Sequence, residues 1–339
     1  MSAPQTQVLL RNDDAFAKGR WLIANPVDGD LFSILPNDDL WGFHQYYDEY
    51  QRCIATHPAE RHTFTAAYTT DTPFDGAVMY LPKAKAHARM LLANLASVVK
   101  PGGQLWIVGE NKGGIKSAAK LLDDHCDVVN KVDSARHCSL FIGVRNDGQS
   151  PFELDEHLQR TTHIINDIPV TVCSLPGVFS HGELDPATAL LLTETRQVPK
   201  GTLLDFACGN GVIACYLGLR QPQATLMLCD VSALALYCAK QSLAANDLEA
   251  TVIASNGLAQ VSGKFNGIFT NPPFHTGIKT DYGITHALIR DVRQHLQPKG
   301  SLVMVANRFL PYPDALDKTF GQHQVLAKTN KFTVYRTQA

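Results

Sequence analysis

Three observations predict an α/β chain of two tandem Rossmann-like domains, residues 1–155 and 156–339, the first a degenerate copy of the second. First, an apolar strand, a glycine turn and the start of a helix run through Leu203-Leu204-Asp205-Phe206-Ala207-Cys208-Gly209-Asn210-Gly211-Val212-Ile213-Ala214, and the next apolar strand ends on Asp230. Second, the buried-looking strand Gly267-Ile268-Phe269-Thr270 breaks into Asn271-Pro272-Pro273-Phe274. Third, Phe74-Asp75-Gly76, leading to Tyr80-Leu81-Pro82-Lys83, aligns without a gap on Phe265-Asn266-Gly267, leading to Asn271-Pro272-Pro273, at a constant offset of 191 residues. Strands alternating with helical segments point to parallel sheets, and matched segments in matched order point to a repeated folding unit.

Composition narrows the classes. The chain has 339 residues, of which 45% are hydrophobic, enough for two cores of ordinary size. No apolar run reaches the ~20 residues of a membrane span, and Met1-Ser2-Ala3-Pro4 has neither the basic flank nor the apolar stretch of a leader. The eight cysteines form no Cys-x-x-Cys pair and several lie in apolar segments, so they are expected as reduced thiols in a cytoplasmic protein without a metal site. Net charge is −2, with −4 on residues 1–155 and +2 on residues 156–339. That balance excludes a nonspecific polyanion binder and leaves room for local contact with a structured RNA.

In chain order, residues 8–25 read as a helix-like start and a strand, followed by Asn25-Pro26-Val27-Asp28-Gly29-Asp30 where a cofactor loop would stand, with no Gly-x-Gly. Residues 41–55 read as strand and helix, and 74–83 as the strand matching 265–273. The segments 99–111 and 297–308 parallel each other, and each half closes on paired strands, at 127–144 and 323–336. Lys83 and Lys85 follow the corner that matches Asn271, while Lys112, Lys116 and Lys120 recur at helical spacing, so the first half is expected to offer RNA phosphates a basic rim or to support the second half structurally. Having lost the glycines, it is not expected to hold a cofactor. Residues 146–162, with a charged helix-like stretch from Phe152 to Arg160, read as the connector. The strand Ile168-Pro169-Val170-Thr171-Val172-Cys173 opens the second half, and Asp185-Pro186 leads into an apolar helix.

The chemistry-bearing residues follow from these placements. Glycines let a ligand approach the backbone, and the helix beginning beyond Gly211 presents free N–H groups. Asp230 suits the two hydroxyls of a ribose. The spacing Gly209-x-Gly211-x-x-Ala214 also fits a nicotinamide dinucleotide fingerprint, but Asp205 would sit badly beside a pyrophosphate and well beside a sulfonium or an ammonium. At the second corner two prolines fix the backbone. They leave the Asn271 amide, the Pro272 carbonyl and the Phe274 ring as two acceptors and a flat face, a set that grips a planar group bearing an exocyclic NH2. Cys208 lies within the glycine turn and no cysteine lies near 271–274, which disfavours a thiolate-dependent carbon methylation.

Asp205, Gly209, Gly211, Asp230 and Asn271-Pro272-Pro273-Phe274 together resemble the S-adenosylmethionine-dependent methyltransferases that act on exocyclic amines, with Ala207 standing where the first glycine of the family turn is usual. The resemblance narrows over nearly the whole chain. Leu175-Pro176-Gly177-Val178-Phe179-Ser180, His275-Thr276-Gly277 after the corner, and Val305-Ala306-Asn307-Arg308-Phe309-Leu310-Pro311-Tyr312 are similar to the bacterial 16S ribosomal RNA (guanine-N2) methyltransferase C family, RsmC, as are Tyr80-Leu81-Pro82-Lys83 and Val108-Gly109-Glu110-Asn111 in the first half. It implies two class I methyltransferase domains, S-adenosylmethionine as cofactor, and a guanosine of 16S rRNA in the 30S subunit as substrate. By that reading Asn271, Pro272 and Phe274 are catalytic. Phe179, Asp205, Ala207, Gly209, Gly211, Asp230, Val231, Ser255, Asn256 and Asn271 hold the cofactor, and Phe274, His275, Lys279, Arg308, Lys83 and Lys85 contact RNA. A monomer is expected. The residues by themselves show only an amine, so adenine N6, a protein glutamine amide and a non-catalytic ribosome assembly factor stay open.

Overall fold

The computed structural model describes residues 2–148, 150–272 and 282–339, and the chain divides into two compact units, Met1–Leu158 and Gln159–Ala339. The first unit holds β1 (Trp21–Ala24), β2 (Leu40–His44), β3 (His62–Phe64), β4 (Phe74–Tyr80), β5 (Val99–Glu110), β6 (Cys126–Ala135) and β7 (Cys138–Arg145), in one sheet of order β3-β2-β1-β4-β5-β7-β6. The second holds a two-stranded hairpin, β8 (Gln159–Ile165) with β9 (Ile168–Ser174). Its main sheet contains β10 (Gly201–Phe206), β11 (Ala224–Asp230), β12 (Ala250–Ala254), β13 (Phe265–Thr270), β14 (Leu296–Asn307), β15 (Gln324–Lys328) and β16 (Phe332–Gln338). Its order, β12-β11-β10-β13-β14-β16-β15, repeats the first sheet strand for strand, with five parallel strands and a closing antiparallel hairpin in each.

Both faces of each sheet are buried, as parallel strands require. In the first unit Leu22, Ala24, Ala77, Met79, Leu105 and Ile107 face one core, while Trp21, Ile23, Val78, Tyr80, Trp106 and Val108 alternate to the other. In the second unit Leu204, Phe206, Ile268, Leu302, Met304 and Ala306 pack in one core, with Leu203, Leu228, Phe269 and Val305 buried on the opposite face. All eight cysteines are free and buried among these apolar groups.

The repeat extends to irregularities. The register of β4 on β5 shifts between Phe74 and Gly76, and that of β13 on β14 shifts between Phe265 and Gly267. Asp75 accepts the Arg20 backbone N–H at 2.6 Å, and Asn266 at the matching place accepts that of Thr202 at 3.0 Å. After the first strand of each sheet the chain turns through a left-handed residue, Asn25 (φ 53°) and Ala207 (φ 56°). Pairing through the two registers makes Ile23 the counterpart of Asp205, His44 of Asp230, and Tyr80 of Asn271. Beyond β1 and β2 of the first unit, Asn25, Gln45 and His87 form a buried hydrogen-bonded set: Asn25 Nδ2 donates to Gln45 Oε1 at 3.0 Å, Gln45 N donates to Asn25 Oδ1 at 2.7 Å, and His87 Nε2 lies 2.7 Å from Gln45 Oε1.

Three local expectations are corrected. Residues 152–160 are not helical: a short 3-10 turn spans Leu154–His157, and β8 begins at Gln159. The β-branched Thr161, Thr162, Ile164 and Ile165 favour a strand, and Asn166 and Asp167, both at positive φ, make the two-residue turn that pairs it with β9. Lys112, Lys116 and Lys120 do not share one helix, because Gly114 at φ 93° interrupts the chain between them; Lys116 lies in the turn Ile115–Ser117 and Lys120 in the helix Ala118–Leu122. The first helix is Pro4–Leu10, earlier than the apolar pattern suggests, with proline in its first turn.

The outer edge of β9 is closed by side chains of the helix Ala233–Ala245 and its C-terminal residue. Asn246 Oδ1 accepts from Thr171 N at 3.0 Å and its Nδ2 donates to Thr171 O at 2.6 Å, while Ser242 Oγ accepts from Cys173 N at 2.8 Å. Asn246→Ala strands both Thr171 backbone groups, so urea unfolding should show a loss of about 1–3 kcal/mol in the second unit. Ala207→Gly removes the penalty of a Cβ in the left-handed region, about 1–2 kcal/mol, partly offset by the freer unfolded chain; the melting transition should rise by the equivalent of about 0.5–1 kcal/mol.

Candidate functional site

The carboxyl ends of β10, β11 and β13 lie side by side, and four of the expected site elements converge there. The turn after β10 passes through Ala207, Gly209 (φ 53°) and Gly211 (φ 79°) into the helix Val212–Arg220. A Cβ added at Gly209 would meet nothing within 4 Å, so the turn opens onto space that a ligand can enter, whereas at Gly211 it would press on Ala239 at 3.1 Å. Gly209 gives access and Gly211 lets two helices close.

Two carboxylates flank this turn. Asp230, at the end of β11, accepts from Gly209 N and Ser232 N, each at 2.9 Å, which ties the turn to the second strand. Burial raises its pKa, against the pull of those N–H groups. Each carboxylate oxygen keeps a second lone pair for a hydroxyl. Asp205 is 1% exposed; its Oδ2 accepts from Ala214 N at 3.0 Å, and its Oδ1 has no hydrogen-bond partner among the described residues. Burial, with Asp230 nearby, pushes it up to about 8. An unpaired carboxylate oxygen in an apolar interior calls for a cation or a donor from outside the chain. The turn, Asp205 and Asp230 thus fit a ligand that carries a ribose and a positive charge, and Asp205 remains unsuited to a pyrophosphate.

The third corner is held by residues that the sequence did not single out. Asn271 Nδ2 lies 3.0 Å from Asp185 Oδ2 and 2.9 Å from Thr188 Oγ1. An ionised carboxylate only accepts, so the nitrogen faces Asp185 and the amide orientation is fixed. Its Oδ1 is buried and takes no hydrogen bond from the described residues. Asp185 is itself anchored as the N-cap of the helix Pro186–Glu194, accepting from Thr188 N at 2.8 Å. Thr270 Oγ donates to Phe206 O at 2.8 Å and locks the ends of β13 and β10 together. The signal for Asp185 and Thr188 was present as an Asp-Pro cap before an apolar run, but nothing local connects it to a residue 86 positions later. The degenerate unit repeats the arrangement with altered chemistry: Pro4 and Thr6 occupy the places of Pro186 and Thr188, and Thr6 Oγ1 lies 2.8 Å from Tyr80 Oη.

The remaining expected residues fall as follows. Ser255 donates its backbone N–H to Asp230 O at 3.0 Å, but its hydroxyl donates to Gly257 O at 2.8 Å within its own turn. Asn256 is exposed, with its backbone N–H on Gln260 Oε1 at 2.8 Å, and half-buried Val231 links Asp230 to the following helix. Phe179 is 60% exposed, a free aromatic face in the loop after β9. Arg308 leaves the carboxyl end of β14 beside Phe309, 75% exposed, and borders a surface depression lined by Asn307, Phe309, Asn330 and Lys331. Lys83 and Lys85 belong to the first unit and are exposed beyond β4. Phe274, His275 and Lys279 lie outside the described residues.

Known proteins are similar to this chain over nearly its whole length. The family model of the methyltransferase small domain matches residues 169–336, and that of the methyltransferase small domain N-terminal matches residues 6–161. The ribosomal RNA small subunit methyltransferase C of Pseudoalteromonas atlantica is 53% identical over 339 residues, 99% of each chain. That of Cronobacter sakazakii is 39% identical, over 98% of this chain and 96% of its own. Among solved structures, the T. thermophilus 16S rRNA N2 methyltransferase (RsmC), in complex with AdoMet and guanosine, has a TM-score of 0.84 at 20% identity, covering 99% of this chain and 92% of that one; the likeness is one of fold. Spanned end to end by such relatives, the chain belongs to the ribosomal RNA small subunit methyltransferase C family.

Proposed function

We propose that the second unit transfers a methyl group from S-adenosylmethionine to the exocyclic N2 amine of a guanosine in 16S rRNA, within the 30S subunit and in the cytoplasm, as a monomer. The observation that carries this reading is the Asn271 amide, whose NH2 is spent on Asp185 and Thr188 while its buried Oδ1 accepts from none of the described residues. A buried acceptor with a fixed direction fits a substrate N–H. Family membership supports the substrate class, and no helix among the described residues is long and apolar enough to cross a membrane.

S-adenosylmethionine supplies a methyl group on a positively charged sulfur that leaves readily. Asp205 Oδ1 and the turn at Ala207 and Gly209 would hold its charged end, Asp230 would take ribose hydroxyls, and Val231, Ser255, Asn256 and the exposed ring of Phe179 would hold the base. A guanine amine is a weak nucleophile because its lone pair is delocalised into the ring. Asn271 Oδ1 and the Pro272 carbonyl each accept one of its hydrogens, which turns the lone pair out of the ring and stabilises the positive charge that grows on nitrogen. Alignment supplies much of the remaining acceleration. The proton leaves to solvent after the transfer, so no strong base is needed. Phe274 is assigned the stacking face, and His275, Lys279 and Arg308 the flanking RNA, from their places in the sequence. The first unit, with Ile23 and Tyr80 in place of Asp205 and Asn271 and its strand ends closed by Asn25, Gln45 and His87, holds no cofactor and supports RNA contact through Lys83 and Lys85.

The experiment incubates labelled S-adenosylmethionine with 30S particles lacking their own methylation and digests the RNA to nucleosides. Label is expected in N2-methylguanosine, reduced about 100–1000-fold by Asn271→Ala, the scale for losing one aligned polar group at a reacting centre. Label in N6-methyladenosine would move the reaction to another base, and label in protein alone, or none, would favour a glutamine substrate or an assembly factor. A second expectation concerns pH. The folded, ligand-free Asp205 holds its proton up to about 8, above the ordinary carboxylate range, and a cationic ligand needs the ionised form. Cofactor affinity should therefore rise by up to about tenfold per pH unit below 8 and level off above it. Asp205→Asn should bind more weakly and without that slope; a wild-type affinity flat from pH 6 to 8 would place Asp205 away from the charge.

A further inference from the structure

The first unit contains a side-chain cluster that the methyl transfer does not use. His44 at the end of β2, His62 at the start of β3 and Cys53 on the helix Tyr47–Ile54 are all buried, and one ligand atom from each lies within 4.8 Å of the other two. His44 Nε2 and His62 Nδ1 approach to 2.8 Å over Gly42, where a Cβ would collide with both rings. His62 Nε2 is in turn 2.9 Å from His57 Nδ1, and Phe32 packs its ring against His57 and His62, with centroids at 5.2 and 4.6 Å. Glu49, one helical turn before Cys53, has a buried Oε2 without a hydrogen-bond partner.

We propose that His44, Cys53 and His62 bind one zinc ion, which clamps the short edge strand β3 to β2 and the adjoining helix. One thiolate and two neutral imidazoles are a borderline-soft donor set that suits Zn2+ in tetrahedral geometry, with the fourth position left to water. Zinc–nitrogen bonds of about 2.0–2.1 Å and zinc–sulfur bonds of about 2.3 Å set donor separations of roughly 3.3–3.6 Å, so the two rings part slightly and the thiol moves in. His57 completes the pattern of a metal-bound imidazole whose other N–H is held by a partner.

The protons balance. His62 carries its hydrogen on Nε2, donating to His57 Nδ1, and frees Nδ1 for the metal. His44 Nδ1 makes no hydrogen bond, so the hydrogen of that ring can sit there without breaking another contact and free Nε2. The Cys53 proton is released to solvent, one per ion bound. Both rings are buried, which favours the neutral imidazole that coordinates. A dication at the site favours the thiolate of a coordinating cysteine. The sequence conceals the set, since its members are drawn together from β2, β3 and the helix between them, without a Cys-x-x-Cys pair.

The test uses the untagged full chain, stripped with a chelator and dialysed against Zn2+. One zinc per chain is expected by elemental analysis, with a higher melting temperature than the stripped protein. Replacement by Co2+ should give a sulfur-to-cobalt charge-transfer band in the near ultraviolet. Cys53→Ser should lose that band, His62→Gln should lose the stoichiometric zinc, and Cys126→Ser, in the same unit, should keep both. His57→Gln leaves all three ligands in place, so it remains informative if a ligand variant misfolds; it should weaken zinc binding by about 10–100-fold. No retained zinc in the wild type, or zinc and the cobalt band undiminished in the Cys53→Ser, His62→Gln double variant, would overturn the proposal.

Discussion

The second unit's site depends on one hydrogen-bonded contact, the Asn271 amide against the Asp185 carboxylate. A carboxylate that only accepts leaves the amide a single orientation, and Asp185 cannot drift because it also caps a helix. The prolines set the backbone and Thr270 ties β13 to β10, but without Asp185 the amide could flip and present its NH2 where Oδ1 now stands. Directional chemistry at one atom thus rests on a helix start 86 residues earlier in the chain.

The backbone of the two units is the same solution used twice. Strand order, the shift beside Gly76 and Gly267, and the left-handed turn after the first strand all recur. What differs is a handful of side chains at the strand ends. Ile23 for Asp205 removes a charge, Tyr80 for Asn271 replaces an oriented amide with a hydroxyl satisfied by Thr6, and His44 for Asp230 exchanges a hydroxyl acceptor for an imidazole. Asn25 and Gln45 fill their own hydrogen-bonding capacity, so nothing there asks for a ligand.

Much of this was legible in the sequence because it is local or periodic. The glycine turn, the acid ending the second strand, the Asn-Pro-Pro corner and the gapless match of the two halves all depend on near neighbours along the chain. What stayed hidden depends on contacts between distant segments. Asp185 and Thr188 look like an ordinary cap, Thr6 gives no hint of meeting Tyr80, and His44, Cys53 and His62 share no motif. Helical spacing misled at Lys112, Lys116 and Lys120, because a left-handed glycine outranks a four-residue rhythm, and the charge of residues 152–160 masked the β-branched run that begins β8.

A chain that writes the same sheet twice also faces a hazard while it is being made. The hairpin β6–β7 and the hairpin β15–β16 close equivalent edges in equivalent registers, so backbone hydrogen bonding alone would accept either hairpin on either sheet. Side-chain size discriminates. Trp21 and Trp106 meet edge-on at 5.5 Å beside Phe16, whereas their counterparts in the second unit are Leu203 and Val303. Opposite Trp106 the first hairpin sets Ile142, which packs against this aromatic core, whereas opposite Val303 the second hairpin sets the exposed Arg336, so an exchange would mismatch both edges. Since the amino-terminal unit emerges first from the ribosome, it can seal its own edge before its double is synthesised.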